Sequence, residues 1–142
     1  MKLQNLSILT VALAGMTDFS SALNEGPAGH KNIFGQDLEL CSTSPLTGYW
    51  RDGYCKTNQQ DQGTHTVCAE LTQEFLDFTK AQGNDLSTPR NGFPGLKPGD
   101  RWCLCASRWL QAQMAGKAPL VHMAATHENT LGIVDGNLLE QH

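Results

Sequence analysis

GFPGLKPGDRWCLCASRW, residues 92–109, decides how this chain is read. It carries two of the three tryptophans and two of the five cysteines. Lys97-Pro98-Gly99-Asp100 fits a type II turn, because proline presets the second position and glycine takes the positive φ at the third. A strand follows naturally from such a turn. Residues 101–105 alternate, with Trp102 and Leu104 on one face and Cys103 and Cys105 on the other. Ser107 is placed to cap a helix over residues 108–115, Gly116 closes it, and Pro119 stops it from continuing.

The strand assignment sets the chemistry. On a helix, residues two apart point away from each other, and Cys103 and Cys105 could not share a ligand. On a strand they share a face at roughly 7 Å between Cα atoms. That is long for an unstrained disulfide. It suits two thiols facing a common metal or separate partners, and it equally suits two small buried hydrophobes.

The chain has 142 residues, 39% hydrophobic and 17% charged, which is enough for one domain with a real core. The net charge of -4 and the lack of a basic stripe argue against a nucleic-acid partner. Residues 1–22 read as an export signal: Lys2 gives a positive start, residues 6–16 are apolar but too short to span a bilayer, and Ser20-Ser21-Ala22 gives small residues for cleavage. The competing reading starts translation at Met16. The address is therefore periplasmic or extracellular if the leader is real, and otherwise cytoplasmic. No later segment reads as a membrane helix. Five cysteines is an odd number, so an oxidised chain keeps one thiol, and the sequence does not choose the pairing.

Residues 23–31 read as a flexible lead-in and residues 32–142 as the domain. Residues 32–40 suggest a short strand. CSTSPLTGYWRDGYC, residues 41–55, reads as a structured loop with turns at residues 45–48 and at Asp52-Gly53. The clearest helix is expected over residues 64–82, where Val67, Cys68, Leu71, Phe75 and Phe78 recur at three- and four-residue steps. On that helix His65 and Cys68 lie one above the other. A strand over residues 120–125 and a short helix over 127–134, capped by Thr126, complete the reading.

CSTSPLTGYWRDGYC, GTHTVCAELTQEFLDF, GNDLSTPR, GFPGLKPGDRWCLCASRW and ATHE occur in that order. They resemble a family of small bacterial proteins, domain of unknown function 2237, over residues 32–134. The resemblance implies no defined activity. The chain departs from it at Tyr54-Cys55, where the family usually has two adjacent cysteines. It departs again in starting well before residue 32 and in a shorter segment after Pro89-Arg90.

Three kinds of site are readable. The first is a metal site: Cys41, Cys55, His65, Cys68, Cys103, Cys105 and His127 have the right chemistry. The preferred set is Cys68, Cys103, Cys105 and His65 around zinc, since HxxC on a helix and CxC on a strand can both converge. The second is a reactive thiol, Cys105 or Cys103, with Cys105 just before a helix and His127 or His65 as its base. The third is a small-ligand pocket from Trp102, Arg101, Trp50, Arg51 and Arg90. Each has a plainer counterpart: core cysteines, capping histidines, and arginines that tie down carbonyls. No phosphate loop, zincin motif or GxSxG is present.

The fold expected is a single compact α+β domain, a small mixed or antiparallel sheet with two main helices and long irregular loops. The function expected is a binding or structural module with a Cys/His cluster suited to a metal. The alternative is a thiol-dependent enzyme or redox protein using Cys103 or Cys105. The partner expected is a small molecule or a protein.

Overall fold

The computed structural model, which describes residues 26–141, pairs His65–Glu70 (β1) with the expected strand Arg101–Cys105 (β2) in antiparallel fashion. Partners are Ala69 with Trp102, Cys68 with Cys103, Val67 with Leu104 and, across an irregularity at Thr66, His65 with Cys105. The proposed leader and the alternative start at Met16 lie outside the described residues. The turn into β2 is closed by the Asp100 N–H, which donates to Lys97 O at 3.1 Å, and Gly99 has φ +92°.

The helix expected over residues 64–82 is a correction. Only its second half is helical, as Gln73–Ala81 (α1). Both faces of β2 are apolar, so the strand needs a hydrogen-bonded neighbour as well as a core. Residues 64–70 supply it, with β-branched Thr64, Thr66 and Val67 suited to a pleated surface. The Thr72 side chain caps α1 by accepting from the Phe75 N–H at 3.1 Å. His65 and Cys68 are therefore not stacked on a helix, and their spacing does not bring them together as chelating ligands.

β2 runs without a loop into Ala106–Met114 (α2), with Cys105 as both last strand residue and N-cap. The expected Ser107 cap is not used. The third strand, Leu120–Val121 (β3), pairs with the other edge of β1, giving the order β2-β1-β3. β2 and β3 thus run in the same direction, as the intervening helix implied, but β1 lies between them and every paired neighbour is antiparallel. The rest of the strand expected over 120–125 is a 3-10 turn, Met123–Ala125. A second 3-10 turn, Glu128–Gly132, and a short helix, Gly136–Glu140 (α3), follow.

The two faces of the sheet have different cores. Val67, Ala69, Trp102 and Leu104 join the large core with Phe75 and Leu76 of α1 and with Trp109 of α2. Trp109 is fully buried and its indole N–H donates to Pro119 O at 3.2 Å, so its one polar atom is satisfied. On the opposite face Cys68 and Cys103 meet Cys41, Cys55 and Ala125 in a second, smaller cluster.

Residues 32–40 do not form a strand. They make a tight return held by buried Asn32, whose carbonyl oxygen accepts from the Phe34 and Gln36 N–H groups and whose amide donates to Ala124 O. Lys31 and Asn32 make single bridges to Asp37 and His127. The His30 N–H donates to Pro27 O and the Leu38 N–H to His30 O, so residues 27–31 are tied to the domain. No helix among the described residues is long and apolar enough to cross a membrane.

Candidate functional site

The sequence suggested one Cys/His site; the fold divides its members between two places. Cys68 is disulfide-bonded to Cys41, and Cys103 to Cys55. Cys105 is the free cysteine and is half-buried. The expected zinc set of Cys68, Cys103, Cys105 and His65 is thus not assembled: two members have their sulfurs in disulfides, and the other two stand at the end of the strand pair.

Those two line a cavity of about 660 Å³. Its walls include Tyr49, Arg51, Arg90, Phe93 and Trp102. His65 and Cys105 are directly opposed across β1 and β2, which places their side chains on one side of the sheet. The Cys105 thiol makes its hydrogen bond with Ser107 Oγ at 3.2 Å rather than with the imidazole.

His65 is held from three sides. Its Nδ1 lies 2.6 Å from Asp61 Oδ1; because the carboxylate accepts, Nδ1 donates, and Nε2 is left outside that bond. Tyr49 stacks on the ring with 6.3 Å between centroids and an interplanar angle of 13°. Gly63 covers the ring closely: a Cβ there would sit 2.4 Å from Cε1, so only glycine allows the approach. The Asp61 side chain is buried yet accepts from the His65 ring, from the His65 N–H at 2.9 Å and from the Thr57 hydroxyl at 3.0 Å. Burial pushes its carboxyl up, but these hydrogen bonds outweigh burial and hold it below the usual carboxylate range.

Two arginines give the cavity its charge. The Arg51 guanidinium lies 4.8 Å from the Trp102 ring centre and donates to Gly48 O at 2.6 Å. Arg90 lies over Phe93 at 5.5 Å and donates to Asp85 O. Among the described residues the ion pairs use lysines and His65, and neither Arg51 nor Arg90 takes part in one. Among the described residues Arg51 (φ 54°) and Thr64 (φ 48°) are the non-glycine residues at positive φ, and the first lines the cavity while the second precedes His65. Such strained positions gather at functional sites.

Of the expected ligand pocket, Trp102, Arg51 and Arg90 line this cavity, whereas Arg101 faces Glu70 on β1 and Trp50 stands outside with Lys56 over its ring. His127, expected as a base, is a correction. Its Nδ1 accepts from the Asn129 N–H at 3.0 Å and its Nε2 meets His30 Nδ1 at 2.9 Å, so both nitrogens are engaged away from the thiol. Burial, then the His30 charge, lowers its pKa. His127 itself, not Thr126, caps the following 3-10 turn. Thr126 instead accepts from the Cys68 N–H. Asp61 went unread in the sequence; the one local signal was a carboxylate four residues before a histidine, across a polar turn.

A family model described as an uncharacterized protein conserved in bacteria (DUF2237) matches residues 31–142. The chain belongs to this family. No curated protein matches it. In this DUF2237 protein the matched region contains the whole cavity, both disulfides and the free thiol.

Proposed function

We propose that the cavity is a thiol site acting on a small anionic molecule with a flat or apolar body. Cys105 is the nucleophile, His65 the proton acceptor, Asp61 its orienter, and Arg51 and Arg90 the anion contacts. The observation that carries this reading is the Asp61–His65 pair, which engages Nδ1 and leaves Nε2 outside that bond, on the residue directly across the strands from the one free thiol. In the step envisaged, the Cys105 proton passes to His65 Nε2 while the sulfur bonds to an electrophilic centre, and the proton then goes to the departing group. An anionic sulfur or substrate at Cys105 also sits at the start of α2, the positive end of its dipole. Tyr49, Phe93 and Trp102 supply the flat apolar surface.

The buried disulfides favour an oxidising compartment as the place of work. The plainer reading, a binding module with an inert thiol, keeps the arginine contacts and drops the chemistry.

Alkylation separates the two. Iodoacetate and iodoacetamide are compared on the native chain and on the same chain in denaturant, with mass readout at each cysteine. The thiol-site reading expects fast single modification at Cys105 and an iodoacetate preference about tenfold above the denatured chain, the size of a charge-assisted contact. Arg51→Gln and Arg90→Gln remove the preference, and His65→Gln slows both reagents at least about tenfold. Native Cys105 reacting no faster than the denatured thiol, with anion binding retained, leaves the binding module instead.

A further inference from the structure

The second sulfur cluster has a property that two disulfide staples do not require. Cys68 and Cys103 stand directly opposite each other on β1 and β2. Their partners, Cys41 and Cys55, come from the two ends of one loop. The sulfurs of Cys41, Cys55 and Cys68 all lie within 4.8 Å of one another, and the fourth, Cys103, is bonded to one of them. Two disulfides could brace this loop from separate places; here all four sulfurs share one buried site. Four thiolates around a tetrahedral d10 cation, at metal–sulfur bonds of about 2.3 Å, sit roughly 3.8 Å apart. The sulfurs of Cys41, Cys55 and Cys68 lie within reach of that spacing, and the two bonded pairs open towards it on reduction.

The backbone around the cluster is held without the sulfur bonds. The Cys41 and Ser42 N–H groups both donate to Gly53 O, at 2.8 and 3.2 Å, and close the loop. The Cys103 N–H donates to Thr47 Oγ1 at 2.9 Å and the Cys68 N–H to Thr126 Oγ1 at 3.1 Å, with both threonines fully buried. With that backbone kept, opening the disulfides would leave four thiols in one buried site, with no other ligand type needed. All four are soft donors suited to zinc.

We propose that the four cysteines Cys41, Cys55, Cys68 and Cys103 form a zinc site when reduced, so that the cluster exchanges two disulfides for one metal ion. The exchange balances as follows. Two dithiol molecules each give two electrons to one disulfide and become cyclic disulfides themselves. The four cysteine thiols then release four protons on taking up one Zn²⁺. Cys103 also borders the cavity, but neither Cys105 nor His65 is a ligand of this site, which does not depend on their chemistry.

The test uses the full chain, oxidised or reduced anaerobically with a water-soluble phosphine, titrated with Zn²⁺ or Co²⁺. Binding is read by native mass and by the charge-transfer and d–d absorption of tetrahedral cobalt–thiolate coordination; folding is read by circular dichroism. The expected result is no uptake by the oxidised chain and one metal ion per reduced chain, with the fold kept and the metal removable by chelator. Cys105→Ser and His65→Gln keep this uptake, and Cys41→Ser or Cys55→Ser loses the tetrathiolate spectrum. A reduced, folded chain that takes up no cobalt overturns the proposal. So does one that unfolds despite added zinc, or one whose uptake disappears with Cys105→Ser.

Discussion

Cys103 and Cys105 are two residues apart on one strand and one face, yet they have opposite roles. Cys103 is paired with Cys55, and its backbone N–H is held by Thr47 from the loop that covers the strand. Cys105 lies beyond that cover, where the strand becomes a helix and where β1 is irregular. Its neighbours are a hydroxyl, a histidine and open space rather than sulfur. Residue type and strand face are identical; the covering loop decides which sulfur is sealed in a disulfide and which stays a thiol.

Stability measurements give the largest contrast. Removing either disulfide by paired Cys→Ser substitution is expected to cost about 2–4 kcal/mol. Cys105→Ser is expected to stay within about 0.5 kcal/mol, as for a half-buried position without a structural bond. Denaturant midpoints check both, and equal losses at the two sites erase the distinction. Next in size is Asp61→Asn, expected to cost about 1–3 kcal/mol, because a buried acceptor of three hydrogen bonds is exchanged for a group that also carries donors. It also slows Cys105 alkylation, whereas a purely structural Asp61 would change the midpoint and leave the native rate alone. Gly63→Ala is a smaller perturbation. The added methyl displaces the His65 ring, and a several-fold slower Cys105 alkylation with about 1 kcal/mol lost is expected.

Acid should loosen the sealed side first. His127 donates its N–H to Thr66 O, and His122 donates its own to Cys68 O, behind the cluster. Burial is the main cause that lowers the pKa of His30, His122 and His127. A histidine lowered in the folded state is protonated first in the unfolded chain. Its contribution is complete above the ordinary value of about 6.5 and is lost as pH falls towards the lowered folded value. Asp61 is lowered as well, but in a more acidic window: its contribution holds until pH drops through the ordinary carboxylate value of about 4 and below. Unfolding midpoints at pH 7.5, 5.5 and 3.5 should show two separate declines, and His127→Asn should flatten the first. A single decline near pH 4 would remove the histidines from this account.

What the sequence disclosed depended on how local the cause was. The turn at Lys97–Asp100 and the strand Arg101–Cys105 are dictated by proline, glycine and alternation within nine residues, and both are as expected. The α+β class followed from the same stretch. The segment before Thr72 reads as helix because Val67, Cys68, Leu71 and Phe75 satisfy a helical period by coincidence, while the demand for a partner strand comes from residues more than thirty positions away. Thr72, followed by Gln73 and Glu74, was the local sign of where the helix begins. In the cavity Arg51, Arg90, Trp102, His65 and Cys105 were all singled out. Their assembly, and the share of Asp61 in it, depends on the 58–64 turn and on the strand pairing, which no spacing displays. The disulfide pairs were equally invisible, since each joins the 41–55 loop to a different strand.

That pairing has a topological consequence. In chain order the bonded cysteines are Cys41, Cys55, Cys68 and Cys103, and the links 41–68 and 55–103 interleave. Any single backbone cut between residues 41 and 103 therefore leaves the two pieces joined, and a cut between 55 and 68 leaves them joined twice. The Arg90-Asn91 bond is exposed to trypsin. A chain nicked there should run as one species until it is reduced, and only then separate into two.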